Sequence, residues 1–166
     1  SSLVTVPLLN TAAVTNMQSM FSGCSSLVTV PLLNTAAVTT MQLMFNSCSS
    51  LVTVPLLNTA AVTTVSSMFN GCSSLATVPA MNFAGPTASS GYTTLFLSCT
   101  SLSSIKATGI RFTFSVTGCN LSSAALDALY TSLPTVTAQT ITVTNNHGNA
   151  ADTPAIATAK GWTVTG

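Results

Sequence analysis

The chain has 166 residues, room for one domain or one elongated stack, and 3% of them are charged where about 25% is usual. The charges are Lys106, Arg111, Asp127, Asp152 and Lys160. No basic stripe is present to replace counterions on phosphates or to hold a membrane surface, so nucleic acid and a polybasic membrane contact are excluded as partners. The mean hydropathy of +0.60 does not announce a membrane insertion, because Thr, Pro and Asn interrupt LVTVPLLNTAAVT well before the ~20 apolar residues of a spanning helix. The polar exterior must be built from Ser, Thr, Asn and Gln.

A 24-residue unit is written three times: SSLVTVPLLNTAAVTNMQSMFSGC (1–24), SSLVTVPLLNTAAVTTMQLMFNSC (25–48) and SSLVTVPLLNTAAVTTVSSMFNGC (49–72), successive copies differing at four positions. Self-similarity at such a period is the signature of a solenoid. The fold expected is a leucine-rich-repeat-like solenoid, mixed α/β, of short stacked parallel strands and helical turns closed by a helix-strand C-terminal cap. The chain opens inside the pattern without Met, signal peptide or polar cap, so an N-terminal cap, further repeats or an attachment domain is expected before Ser1.

Within one unit apolar residues fall at Leu3, Val6, Leu8, Val14, Met17, Met20, Phe21 and Cys24, a face that no single coil can bury and stacked neighbours can. Leu3 to Val6 is β-prone, and Pro7 removes a backbone donor, so the strand ends near it or the ladder between coils skips one bond. Asn10 suits a turn, because its side chain hydrogen-bonds nearby backbone. Val14 to Met17 predicts a second short strand and MQSMF a helical turn, which Gly23, Ser47 or Gly71 then stops. The fourth unit, 73–99, carries three extra residues around Gly85 to Gly91, read as a loop bulging from one edge. The fifth, 100–119, is shorter and degenerate, as a unit near the end of a solenoid usually is.

The segment 120–166 differs in kind. Ser122 is placed to cap a helix with Ala125, Leu126, Leu129 and Leu133 on one face, and Pro134 ends it. QTITVTNN alternates as a strand, NNHGN is a turn, Thr153-Pro154 opens a second short helix that stops at Lys160-Gly161, and Trp162 to Thr165 is a last strand. The segment reads as a C-terminal cap with Trp162 as a lid on the core.

The stretches VTNMQSMFSGCSSLVTV, VTTMQLMFNSCSSLVTV and VTTVSSMFNGCSSLATV resemble the BspA-like leucine-rich repeats, including the related repeat of mycoplasma surface proteins. The resemblance spans Ser1 to about Cys119 and agrees in both order and spacing. The unit here is slightly shorter between Asn10 and Val14, and Thr and Ala stand where the family's turns often carry Asp. The residues an Asp-dependent contact would use are therefore missing. The resemblance implies a solenoid of a family whose members commonly serve as surface adhesins, and it supplies no catalytic residues. TITVTNN and IATAKGWTVTG are similar to C-terminal caps of phage tail-fibre-like and bacterial surface repeat proteins.

Cys24, Cys48, Cys72, Cys99 and Cys119 recur once per coil. Side chains stacked in register point the same way, which disfavours relaxed disulfides, and an odd count leaves one thiol over; they are read as buried apolar groups. No metal set or cofactor is expected, since no second His or carboxylate joins them. His147 reads as a turn residue. Asp127 lies on a polar helix side and Asp152 near a helix start, where negative charge is favoured. No catalytic residues and no enzymatic activity are expected, and Asn120-Leu121-Ser122 matches the glycosylation sequon as a common chance match.

Two threonine ladders remain as surface chemistry: Thr5, Thr29, Thr53 and Thr77, and Thr15, Thr39 and Thr63. Threonine suits an exposed strand position on its own account, and a regular hydroxyl array would also meet a glycan or an ice surface. Loops carry function more often than scaffolds, which points to 82–92 and 106–114, with Tyr92, Lys106, Arg111 and Phe112 as ligand contacts beside Thr5, Thr29 and Thr53. Phe112 and Phe114 would equally fill the core of a shortened coil. The leading expectation is a recognition or adhesion module, extracellular on a bacterial cell surface or a virion's tail fibre, meeting a cell-surface glycan or protein receptor. A structural spacer and an ice-binding solenoid are the alternatives, and any oligomerisation is expected through a part preceding Ser1.

Overall fold

The computed structural model describes residues 2–166. Each unit lies on the next in parallel register, and backbone hydrogen bonds repeat from one junction to another. The N–H groups of Met17, Ser19, Phe21 and Gly23 donate to the carbonyls of Thr40, Gln42, Met44 and Asn46, and those of Met41, Leu43, Phe45 and Ser47 to Thr64, Ser66, Met68 and Asn70. The third unit repeats this against Gly91, Thr93, Leu95 and Leu97 of the fourth, a step lengthened by the inserted residues. Asn16, Thr40 and Thr64 form a row of parallel bridges across the same units.

The MQSMF segment is not a helix. Ser19, Leu43, Ser47, Ser67, Thr94 and Ser98 have φ between 50° and 61°, and Gly23 and Gly71 have φ of 73° and 75°. Left-handed residues inserted every few positions break any helical run. The segment becomes a chain of tight turns in which Met20, Ser22 and Cys24 donate to the residue three before them. The alternate N–H groups are thereby freed for the neighbouring unit. Gly23, Ser47 and Gly71 do sit at the left-handed position expected of a turn stop.

The segment before each proline is held more lightly. Among the described residues of the first three units it is joined by scattered bonds, Val28 N–H to Val4, Val52 N–H to Val28 and Ser50 N–H to Ser25. Regular pairing starts only with β1 (Thr77–Val78), parallel to β2 (Ser104–Ile105). Asn10, Asn34, Asn58 and Asn82 each accept from the backbone N–H two residues on, as their turn position predicts. After the proline, Leu33 and Leu57 turn inward at 2% exposure while Leu32 and Leu56 stand out at 65% and 58%. Leu8, counted above with the apolar face, is 81% exposed, and Leu9 takes the core-side position.

One continuous apolar core runs from Met17 to Trp162. Phe21, Phe45, Phe69 and Phe96 form a stacked column, with ring centroids 5.6, 5.8 and 6.1 Å apart and planes within 9°. The inserted residues of the fourth unit do not bulge free. They turn through a 3-10 helix, Ser89–Tyr92, and Gly85 lies so close to the third unit that a Cβ there would meet the Val62 carbonyl at 1.9 Å. Tyr92 is buried as a result.

The last part contains β3 (Phe114–Ser115), α1 (Ser123–Ser132), β4 (Gln139–Thr142), α2 (Ala155–Thr158) and β5 (Trp162–Thr165), with a parallel sheet in the order β3-β4-β5. Ser122 caps α1 by accepting from Ala125 N–H, and Leu126, Leu129 and Leu133 are buried. Trp162 is buried, meets Phe114 edge-on at 5.8 Å and donates its indole N–H to the Pro134 carbonyl at 2.9 Å.

Candidate recognition surfaces

The first three units share threonine at three equivalent positions, which the sequence leaves looking alike and the packing separates. Thr11, Thr35 and Thr59 are buried and donate to the carbonyls of Asn34, Asn58 and Asn82 in the next unit, at 2.9, 2.9 and 2.6 Å. Thr39 and Thr63 are exposed, but their hydroxyls donate back to Thr15 and Thr39 carbonyls at 3.1 Å. Thr5, Thr29 and Thr53 are exposed with hydroxyls that no bond within the described chain engages. Of the two exposed ladders, this is the one with hydrogen-bonding capacity to spare.

Leu8, Leu32 and Leu56 form a second outward row, and sequence reasoning missed it. With Leu9, Leu33 and the asparagines 10, 34 and 58 they line a shallow groove of about 740 Å³ across the first three units. The signal was present as the doubled leucine after each proline: two adjacent leucines in extended backbone cannot both face one core.

The irregular edge holds the remaining candidates. Tyr92 is not a surface contact. It is 1% exposed, its hydroxyl donates to the Phe83 carbonyl at 2.5 Å, and burial raises its pKa. The inserted loop folds over it, so its ring belongs to the core. Phe114 is likewise buried. Phe112 is half-buried, its ring 6.4 Å from that of Tyr92, and Lys106 and Arg111 are exposed.

Arg111 and Phe112 line a recess of about 380 Å³ at the start of the segment that follows the repeats, closed on the other side by Pro134, Thr135, Val136, Thr137 and Gln139. Both walls are fixed. Gln139 Oε1 accepts from Thr113 N–H at 2.8 Å and Thr113 hydroxyl at 3.1 Å, tying one wall to the other. Val136 N–H donates to the Lys160 carbonyl at 2.8 Å, and Trp162 holds Pro134. Gly109, with φ of 75°, runs against the fourth unit so closely that a Cβ would lie 2.9 Å from the Ala84 nitrogen.

The three charges of 120–166 are all engaged within that segment. Lys160 Nζ donates to the carbonyls of Tyr130, Thr131 and Leu133, at 3.1, 2.6 and 2.9 Å, and so closes the C-terminal end of α1. Asp127 accepts from Thr153 N–H at 2.6 Å and its hydroxyl at 3.1 Å, and Asp152 accepts from the Tyr130 hydroxyl at 2.5 Å. Burial, then that hydrogen bond, pushes the Tyr130 pKa well up. His147 is exposed in its turn.

The five cysteines are free and buried. The thiols of Cys48, Cys72 and Cys99 donate to the carbonyls of Phe21, Phe45 and Phe69, in each case the unit before, at 3.0, 3.1 and 3.0 Å. Burial pushes the pKa up to about 11 for Cys48 and about 12 for Cys72 and Cys119. A thiol held protonated in this way is a poor nucleophile and a poor metal ligand. Among the described residues no group of three or more His, Cys, Asp or Glu is arranged to hold a metal ion, and no helix is long and apolar enough to cross a membrane.

The family model described as "Mycoplasma protein of unknown function, DUF285" matches residues 4–104, which takes in the first four units and the start of the fifth and leaves the recess and 120–166 outside. No curated protein matches the chain, and no solved structure does.

Proposed function

The chain belongs to the family described as Mycoplasma protein of unknown function, DUF285, and from that premise we propose a leucine-rich-repeat-like solenoid (1–119) of BspA-like type with a C-terminal cap (120–166) that serves recognition or adhesion. It acts by binding and not by catalysis, outside the cell, on a bacterial surface or a virion's tail fibre. Its partner is a cell-surface glycan or a protein receptor. The observation that carries this reading is the uncharged outer face, on which Thr5, Thr29 and Thr53 recur at one place of successive units with their hydroxyls unengaged. A neutral array of hydroxyls suits sugar, whose own hydroxyls need donors and acceptors rather than charge. The test is binding of fluorescently labelled chain to intact bacterial cells before and after polysaccharide stripping. Binding that disappears on stripping is expected, and no binding across a broad panel would sink the reading.

One observation favours a second reading, a structural spacer. The phenylalanine column and the junction hydrogen bonds repeat almost unchanged across the first three units, so a unit is interchangeable with its neighbour. Deleting 25–48 preserves the stacking pattern. A spacer would keep full cell binding after that deletion, whereas a threonine-row binder would lose part of it.

A further inference from the structure

We propose that the recess between the last coil and the cap binds a carboxylate-bearing sugar, a uronic-acid-type residue of a surface polysaccharide. The inference rests on the glycan-recognition reading above and names its ligand class. Four observations converge. Arg111 is exposed on the recess wall, and both aspartates of the chain are engaged elsewhere: Asp127 is bound to Thr153 and Asp152 to Tyr130. Lys160 is likewise spent on three carbonyls, so of the three cations only Lys106 and Arg111 have side chains without a bond in the described chain. An anion reaching Arg111 therefore meets no internal competitor, and a guanidinium grips a carboxylate through two parallel bonds.

The second observation is the half-buried Phe112 ring beside Arg111, an apolar surface for the C–H face of a pyranose. Third, Thr135 and Thr137 are exposed on the facing wall, their hydroxyls not engaged among the described residues and available to ring hydroxyls. Fourth, the Gln139–Thr113 clamp and the Val136 and Trp162 bonds preform the walls, which spares a ligand the cost of ordering them. The volume of about 380 Å³ falls in the lower part of the range usual for small-ligand sites and accommodates one or two sugar rings.

The experiment titrates the full chain with a uronic-acid disaccharide and with its neutral counterpart, in which the carboxylate is reduced to a hydroxymethyl group. The same titrations are run on Arg111→Gln and Arg111→Lys, and both variants are assayed on intact cells. The uronate is expected to bind about tenfold more tightly than the neutral sugar, with that preference weakened by salt, abolished in Arg111→Gln and partly kept in Arg111→Lys. Arg111 is on the surface, so unchanged melting of the variants accompanies these losses. Equal binding of the two sugars, or a uronate preference intact in Arg111→Gln, overturns the proposal. If cells are bound equally by the wild-type chain and by Arg111→Gln and the uronate does not compete, the recess is refuted while the adhesion reading stands. If the uronate binds through Arg111 and no cell is bound, the recess stands and adhesion falls.

Discussion

The repeat array (1–119) and the segment that follows it (120–166, the proposed cap) pack against one continuous apolar core by opposite means. The array uses one arrangement many times. A phenylalanine ring lies on the ring of the unit before, a thiol reaches a carbonyl across the same junction, and a buried threonine spans the next, all without a charge. The cap uses each contact once, and three of the chain's five charges make them. Repetition lets weak neutral contacts add up along a stack. In 120–166 no such repetition is available, and carbonyls and hydroxyls there are met by stronger, charge-assisted partners.

Breaking the array at its centre should have the largest effect. Phe45 is fully buried between Phe21 and Phe69, and Phe45→Ala should cost about 3–5 kcal/mol in denaturant unfolding. A cost below about 1 kcal/mol would mean that neighbouring units collapse into the gap and the column is not the core's spine. The matching blow to the cap is Lys160→Met, which keeps the aliphatic stem and removes the ammonium from three carbonyls. It should cost about 1–3 kcal/mol. Hydrogen exchange should accelerate in α1, β4 and β5 while the first three units stay protected; equal acceleration throughout would deny the cap its own local stability.

Alkaline pH sharpens the contrast through the thiols. The folded-state pKa of Cys72 is pushed up to about 12 from 9 by burial, and that of Cys48 to about 11. As pH rises past 9 the unfolded chain releases thiol protons that the folded chain keeps, so the unfolded state binds fewer protons and stability falls. The loss should begin near pH 9 and continue to about 12, each thiol adding at most about 1.4 kcal/mol per pH unit. Tyr130, also raised, extends the loss into the cap at higher pH. Unfolding curves at neutral and alkaline pH should show a shallower fall for Cys72→Ala than for the wild-type chain, and an identical slope would place the thiols in water. The smallest effect belongs to Thr29→Ala on the outer row, within about 0.5 kcal/mol of the wild-type chain. A larger loss would show that its hydroxyl serves the fold and is not spare.

What could be read in advance follows from periodicity. The unit boundaries, the inward thiols, the asparagine turns and the Ser122-capped helix each depend on a residue's local chemistry or on its recurrence, and both are visible in one dimension. The candidate site was legible only as a composition. Arg111 and Phe112 stood out as charge and aromatic in a neutral coil, but the facing wall of Pro134 to Gln139 lies more than twenty positions along the chain. Tyr92 was misplaced for a related reason. An inserted loop rich in Gly, Ser and Thr looks exposed, and only its close approach to Val62 shows that it folds back over the ring.

The sequence by itself determined the repeat, its 24-residue length and the absence of charge from its first three copies, because duplication leaves register and composition open to inspection. Tertiary structure alone decided which leucine after each proline points outward, which threonine row keeps free hydroxyls, and which cations are left unspent. Those choices depend on left-handed residues that turn the backbone between units, and on hydrogen bonds to residues of another unit. Neither has a signature in local periodicity, since a side chain's direction is fixed by the neighbour it packs against.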